Sequence, residues 1–191
     1  MSAARPPEGA EAPPLAEGGG AGRAGDKPGP GRPFHEDLLL QLEVDRFNAA
    51  YAAVLDERRF DEWPGLFLQD GRYTVQAREN FDRKLPLALI DLESQGMMKD
   101  RVYGITQTIY HGPYYTRHVV GVAQVQGAEQ GRIRAQANYA VFRTRPGDAS
   151  EVYNVGRYID LFERTPAGLK LASRHCVYDS EMVLNSLIYP I

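Results

Sequence analysis

The chain has 191 residues, enough for one sizeable domain and scarcely two. A formal net charge of −3 without clustering excludes a nucleic-acid footprint, and a single cysteine, Cys176, excludes an internal disulfide and any multi-cysteine metal site. No apolar run approaches the roughly 18–20 residues of a membrane span, and the lone thiol fits a reducing compartment, so a cytoplasmic protein is expected.

Residues 1–33 hold seven of the thirteen prolines and eight of the nineteen glycines, with no aromatic residue. Such a segment cannot bury enough apolar surface to offset its ordering entropy. It has no apolar core of the kind that marks a secretory signal. The reading is a disordered tail over 1–33, with a start codon assigned too early or a partner-binding arm as the alternatives, followed by a single domain over 34–191.

Phe34 to Leu55 reads as a helix, because Leu40, Val44, Phe47, Tyr51 and Leu55 recur at three- and four-residue spacing. A short second helix comes next, with Asp61 as N-cap, Pro64 in the first turn, and Phe60, Trp63, Leu66 and Phe67 as its apolar face. Asp70-Gly71 ends it and starts a strand over 72–78. Leu85 to Leu92 could be strand or helix; Pro86 and the β-branched Ile90 favour an edge strand. Ser94 to Gly104 reads as helix, Ile105 to Tyr115 as an aromatic loop, and Arg117 to Gln126 as a strand.

The remainder is a meander of three long strands. In the first, 132–145, Ile133, Ala135, Ala137 and Tyr139 alternate with Arg132, Arg134, Gln136 and Asn138. The turn at Arg145-Pro146-Gly147-Asp148 suits type II, and Thr165-Pro166-Ala167-Gly168 suits type I. The second strand, 151–164, is read with Tyr153, Val155, Ile159 and Leu161 on one face; the third, 169–178, with Leu169, Leu171, His175 and Val177. Strands of about twice the usual length, roughly 35–45 Å, must twist and coil. The concave face needs filling, and the helices supply it. The class is α+β, with helices gathered on one side of a mostly antiparallel sheet of about six strands.

Four histidines are present: His35, His111, His118 and His175. Their spacing does not assemble a 2-His-1-carboxylate or His₃ site. A Rieske cluster needs two Cys and two His, which one cysteine cannot supply. His175 is read as facing inward, either as a satisfied core residue or as a general base partnered by Asp160, Asp179 or a tyrosine. Arg117 and His118, after the Tyr110–Tyr115 cluster, form either a packed loop or a subunit contact. The ending from Met182 to Ile191 is apolar to its last residue, so with Tyr178 it should pack on its own sheet or against another subunit. Candidate interface residues are therefore Tyr110, Tyr114, Tyr115, Arg117, His118, Tyr178, Ile188 and Tyr189.

Several runs resemble a known family: Phe47-Asn48-Ala49-Ala50-Tyr51, Asp61-Glu62-Trp63-Pro64, Asp70-Gly71-Arg72-Tyr73 and Asp100-Arg101-Val102-Tyr103-Gly104. Tyr114-Tyr115-Thr116-Arg117-His118, Cys176-Val177-Tyr178-Asp179-Ser180-Glu181 and Ile188-Tyr189-Pro190-Ile191 continue the match. In this order they are similar to the small, or beta, subunits of aromatic-ring-hydroxylating dioxygenases. Salicylate 5-hydroxylase small subunits resemble the chain most, and those of terephthalate dioxygenases less. The resemblance spans about 38–191.

It implies a cone-like fold of the nuclear-transport-factor-2 or cystatin-like type. It implies a chain without cofactor or catalytic residue, whose large (alpha) partner subunit carries the Rieske [2Fe-2S] cluster and the mononuclear iron. It further implies self-association as a trimer within a three-plus-three hexamer, fed by ferredoxin and reductase. Two other readings stand beside it: a stand-alone dehydratase or isomerase on the same cone, and a small-ligand binding module. An open cone would favour these. Tyr139, Ile159, Leu161 and Phe162, read as inward, favour a filled one.

Overall fold

In a computed structural model of the chain, residues 34–180 and 187–191 are described. The tail expected over 1–33, and 182–186 of the apolar ending, lie outside them.

Helix α1 spans Phe34–Asp56 and buries Leu40, Val44, Tyr51 and Leu55. It stops without glycine. Arg58 takes the left-handed conformation (φ 56), and Arg59 N–H reaches back to the Val54 carbonyl at 2.9 Å, closing the last turn. The expected second helix is one 3₁₀ turn, Trp63–Leu66, capped at Glu62 without a side-chain hydrogen bond; Asp61 is not the cap. Pro64 occupies its first turn as its missing N–H allows.

Strand β1 is longer than its sequence suggests, Phe67–Ala77. Asp70-Gly71 lies inside it rather than before it, within an irregularity between Phe67 and Arg72. A Cβ on Gly71 would stand 2.9 Å from the Leu68 carbonyl oxygen, so the turn-like dipeptide here permits a close approach within the strand. A short helix α2, Arg78–Asp82, comes after it, and only Ile90–Leu92 of the ambiguous stretch pairs, as edge strand β2. Helix α3, Gln95–Tyr103, is capped by Ser94, whose hydroxyl accepts the Met97 N–H. A π-helical turn, Gly104–Thr108, leads into the aromatic loop.

The single strand expected over 117–126 is two, β3 (Tyr115–Val120) and β4 (Gln124–Glu129), both antiparallel to β5. Gly121–Ala123 break the ladder, and the Ala123 N–H is taken by the Asp45 carboxylate at 2.9 Å. The meander then runs as β5 (Arg132–Thr144), β6 (Glu151–Thr165) and β7 (Gly168–Tyr178). Gly147 (φ 88) and Gly168 (φ 104) supply the left-handed backbone at its two turns.

Among the described residues the sheet has seven strands, in the order β2-β1-β7-β6-β5-β3, with β4 also on β5. All pairings are antiparallel except β1 with β7. Helix α1 lies against β3, β4 and β7, filling the concave side as expected for a cone-like α+β fold.

Along β5 the predicted facing is right: Ile133, Ala135, Ala137 and Tyr139 are all buried. Along β6 and β7 it holds at Tyr153, Phe162 and Leu171, which are buried, and is inverted from Val155 to Leu161 and around Arg174 to Cys176. A bulge between Val141 and Phe142 of β5 lets Tyr153 slip out of register, and another falls opposite Leu161 and Phe162, at Ala172. Each extra residue reverses the parity of the strand beyond it. Tyr158, Asp160 and Phe162 therefore face the core, and so do Arg174 and Cys176; Ile159, Leu161 and His175 point to the other side, and Val155 is exposed.

Candidate functional site

The floor of the cone carries a buried polar cluster that the inverted facing concealed. Arg174 donates to Asp160 through Nε (2.9 Å) and Nη2 (2.7 Å), and through Nη2 to Asn48 Oδ1 of α1 at 2.5 Å. Its guanidinium is sandwiched between the rings of Tyr51 and Tyr158, 4.1 Å from each centroid. Burial pushes the Asp160 carboxyl up, while the charge and hydrogen bonds of Arg174 oppose it. Burial lowers the tendency of Arg174 to stay protonated, but Asp160 more than compensates and the net shift is upward. Each group makes the other's charge tolerable. A parity argument could have found the cluster: the alternative facing of β6 sends both Arg157 and Glu163 outward and leaves one acid, Asp160, opposite Arg174.

Above this floor the cone is closed by residues 187–191. Leu187, Tyr189 and Ile191 are buried. Arg101 of α3 donates to the Leu187 and Ile188 carbonyls, both at 2.8 Å. The Tyr189 ring lies 4.9 Å from Phe60 and 4.3 Å from Tyr114. Residues 187–191 of the apolar ending thus pack inside their own domain. Arg101, from the run Asp100-Arg101-Val102-Tyr103-Gly104, is the side chain that anchors them.

His175 takes no part in a cone-floor site. It sits on the opposite face of the sheet, its ring 5.1 Å from Phe81, beside the Arg72–Asp91 pair and a recess of about 470 Å³. Burial lowers its pKa, with the Asp91 charge raising and the Arg72 charge lowering it further. Neither carboxylate read as its partner reaches it: Asp160 binds Arg174 and Asp179 pairs with Arg78 at 3.1 Å. The general-base constellation is not assembled.

The other histidines are dispersed. His35 is exposed at the start of α1, and His111 packs on Tyr189 at 5.2 Å. His118 is buried on β3, where its ring Nδ1 meets Asp56 Oδ1 at 2.6 Å and its backbone N–H meets the same carboxylate. Burial raises the Asp56 pKa, yet these hydrogen bonds hold it below the usual carboxylate value. The pair fastens the end of α1 to β3. Among the described residues no group of three or more His, Cys, Asp or Glu could hold a metal ion, and Cys176 is buried. The described residues offer no ligand set for a mononuclear iron, and the single cysteine cannot supply the two that a Rieske cluster needs.

The candidate interface residues divide into two sets. Tyr110 is fully exposed, and Tyr115 and Arg117 project from the outward face of β3 together with Val119. Tyr114, His118, Tyr178 and Tyr189 are buried within the chain and Ile188 is half-buried. Tyr114 and Tyr189 support the aromatic loop from beneath, and Arg58 donates to the Tyr114 carbonyl while its guanidinium lies over the Tyr115 ring at 5.1 Å. The loop and the outer face of β3 are therefore braced from the core while presenting exposed aromatic and aliphatic surface.

Comparison with known proteins agrees with this architecture. Residues 50–185 match the family model described as the ring hydroxylating beta subunit. The anthranilate 1,2-dioxygenase small subunit of Burkholderia cepacia is 31% identical over 82% of this chain and 97% of its own. A terephthalate 1,2-dioxygenase terminal oxygenase beta subunit of a Comamonas species is 27% identical over 81% of this chain and all of its own. Among solved structures, a beta subunit assigned to an aromatic-ring-hydroxylating dioxygenase of Novosphingobium aromaticivorans superimposes with a TM-score of 0.75 at 38% identity, covering 82% of this chain and 99% of that one. With the family model spanning most of the chain and the relatives matched almost end to end, the protein belongs to the beta subunits of the ring-hydroxylating dioxygenases.

Proposed function

We propose that the chain is a non-catalytic small subunit that supports and assembles the large catalytic subunit of a Rieske-type oxygenase acting on an aromatic acid. The observation that carries this reading is the filled cone: where a stand-alone enzyme of this fold needs an open pocket, Tyr51, Tyr158 and Arg174 pack against one another and residues 187–191 close the space above them. The dehydratase or isomerase reading loses its open pocket and its inward histidine together.

In this reading the Rieske cluster and mononuclear iron reside on the large subunit, which receives electrons through ferredoxin and reductase. The small subunits form a trimer at the centre of a three-plus-three hexamer in the cytoplasm. An aromatic carboxylate as substrate, salicylate among the candidates, is supported by the relatives named for anthranilate and terephthalate. The braced face of Tyr110, Tyr115, Arg117 and Val119 is the proposed contact with neighbouring subunits.

The test is reconstitution. The chain purified alone should bind no stoichiometric iron and turn over no aromatic acid, while co-expression with a large subunit should yield a complex holding both chains and the iron. Iron or turnover on the isolated chain would overturn the reading.

A further inference from the structure

Helix α1 is pinned to the β3–β4 corner at two points. The Asp45 carboxylate takes the Ala123 N–H at 2.9 Å, and about three turns later Asp56 takes the backbone N–H and the ring of His118. Between the pins the same face of the helix presents Ala49, Ala52 and Ala53. Side chains this short leave a recess of about 580 Å³, walled on the strand side by Val119, Val120 and Val122.

Two polar atoms of residues lining this recess have no partner among the described residues. Asn48 spends Oδ1 on Arg174 Nη2 and is left with Nδ2; His118 spends Nδ1 on Asp56 and is left with Nε2. The His118 side chain is wholly enclosed and Asn48 is 2% exposed, so bulk water satisfies neither atom. Leaving a buried donor or acceptor unpaired is costly, and native structures rarely do so. The roles of the two atoms follow from the partners already made. Arg174 only donates, so Oδ1 is the Asn48 atom that faces it and Nδ2 is a donor. The Asp56 carboxylate only accepts, so the proton of the neutral His118 ring lies on Nδ1 and Nε2 offers a lone pair. One donor and one acceptor beside apolar walls suit a group that accepts and donates at once, which a hydroxyl does. Apolar walls with a few polar atoms are also the composition of a small-molecule site.

We propose that the recess between α1 and β3 is a binding site for a small apolar molecule bearing a hydroxyl group, whose O–H donates to His118 Nε2 and whose oxygen accepts from Asn48 Nδ2. Asp56 then has two tasks: it holds the helix to the strand, and it fixes the tautomer that leaves the ring able to accept. Asn48 links the site to the Arg174–Asp160 pair in the core. The site uses polar atoms of this chain alone and is tested on the isolated chain, so its failure would leave the assembly reading untouched.

The experiment titrates the full chain with phenol and follows the ring nitrogens of His118 by nitrogen NMR, with anisole and toluene as controls. Millimolar phenol should move the Nε2 resonance toward its hydrogen-bonded position and raise the melting temperature by a few degrees. Anisole has the oxygen but no proton to give, and toluene has neither, so both should leave Nε2 in place. The variant Ala49→Leu fills the recess from an exposed position of α1 with a residue that suits a helix, and it should abolish the phenol shift. An Nε2 resonance that phenol does not move, including one already held by a fixed water, overturns the proposal. So does an equal response to anisole or toluene, or a phenol shift that survives Ala49→Leu. If Ala49→Leu does not fold, the comparison of the three probes on the unaltered chain decides alone.

Discussion

Arg174 and Asp160 face each other across β6 and β7, one fully and the other almost fully enclosed, and form two hydrogen bonds at 2.9 and 2.7 Å in the middle of the core. With Asn48 they tie α1 to the sheet through one guanidinium. Removing either partner leaves a charge buried and uncompensated. Asp160→Asn and Arg174→Met should each cost about 3–5 kcal/mol in unfolding free energy. The double replacement Asp160→Leu with Arg174→Met should cost clearly less than the two single losses added together. Chemical denaturation measures all three; strictly additive losses would show that the two side chains do not act as a pair.

At Gly156 the strands β6 and β7 approach too closely for a side chain. A Cβ there would stand 2.1 Å from the Val177 carbonyl oxygen and 2.8 Å from the Tyr178 Cα, both backbone atoms that cannot swing aside. Gly156→Ala should therefore part the two strands and leave the protein insoluble or severely destabilised. Gly65→Ala is the control, because nothing lies within 4 Å of the added methyl group. It should melt within a degree or two of the parent, and equal behaviour of the two variants would refute the contact.

For His175 the expected effect is a stability dependence on pH. Burial depresses its pKa below the ordinary 6.5, with opposing influence from Asp91 and reinforcing influence from Arg72. As pH falls through about 6.5 the unfolded chain takes up the proton before the folded one does, so stability drops and then levels once the folded group also protonates. His175→Gln, which does not titrate there, should flatten this part of the profile. Turnover per assembled complex should stay within a few-fold of the parent. A loss of roughly 10²-fold or more in an intact complex is the signature of a general base and would return this residue to catalysis.

The outer face of β3 offers a test of assembly separate from folding. Tyr115 and Val119 are 61% and 55% exposed, so Tyr115→Asp and Val119→Asp should leave the melting temperature of the isolated chain nearly unchanged. In a co-purification they should reduce recovery of the large subunit or of the oligomer, since an unpaired charge in an apolar contact opposes binding. Full recovery of a normal complex would show that this face points to solvent.

The elements were legible where periodicity is uninterrupted. The whole of α1, the capped helix after Ser94 and the three meander strands come from alternation, caps and turn residues, and β5 was even faced correctly. What escaped was parity. Period-2 reading carries a sign, and one bulged residue at Tyr153 and another at Ala172 reverse it without altering composition. The error was local in sequence and large in consequence, because it moved His175 out of the core and hid Arg174 within it. The split between β3 and β4 was likewise invisible, since the Asp45 carboxylate that takes the Ala123 N–H comes from a helix 78 residues away.

The parallel pairing of β1 with β7 bears on how the chain is made. Residues 72–77 take their neighbours from 173–177 and Tyr178, so the first long strand has no second partner until nearly all of the protein has left the ribosome. During synthesis Tyr73 and Val75, both fully enclosed in the finished structure, stay uncovered for about a hundred residues, or roughly 5–20 seconds at ordinary elongation rates. The uncovered edge of β1 is consequently the part of the nascent chain most open to pairing with a foreign strand, and the arrival of β7 closes it.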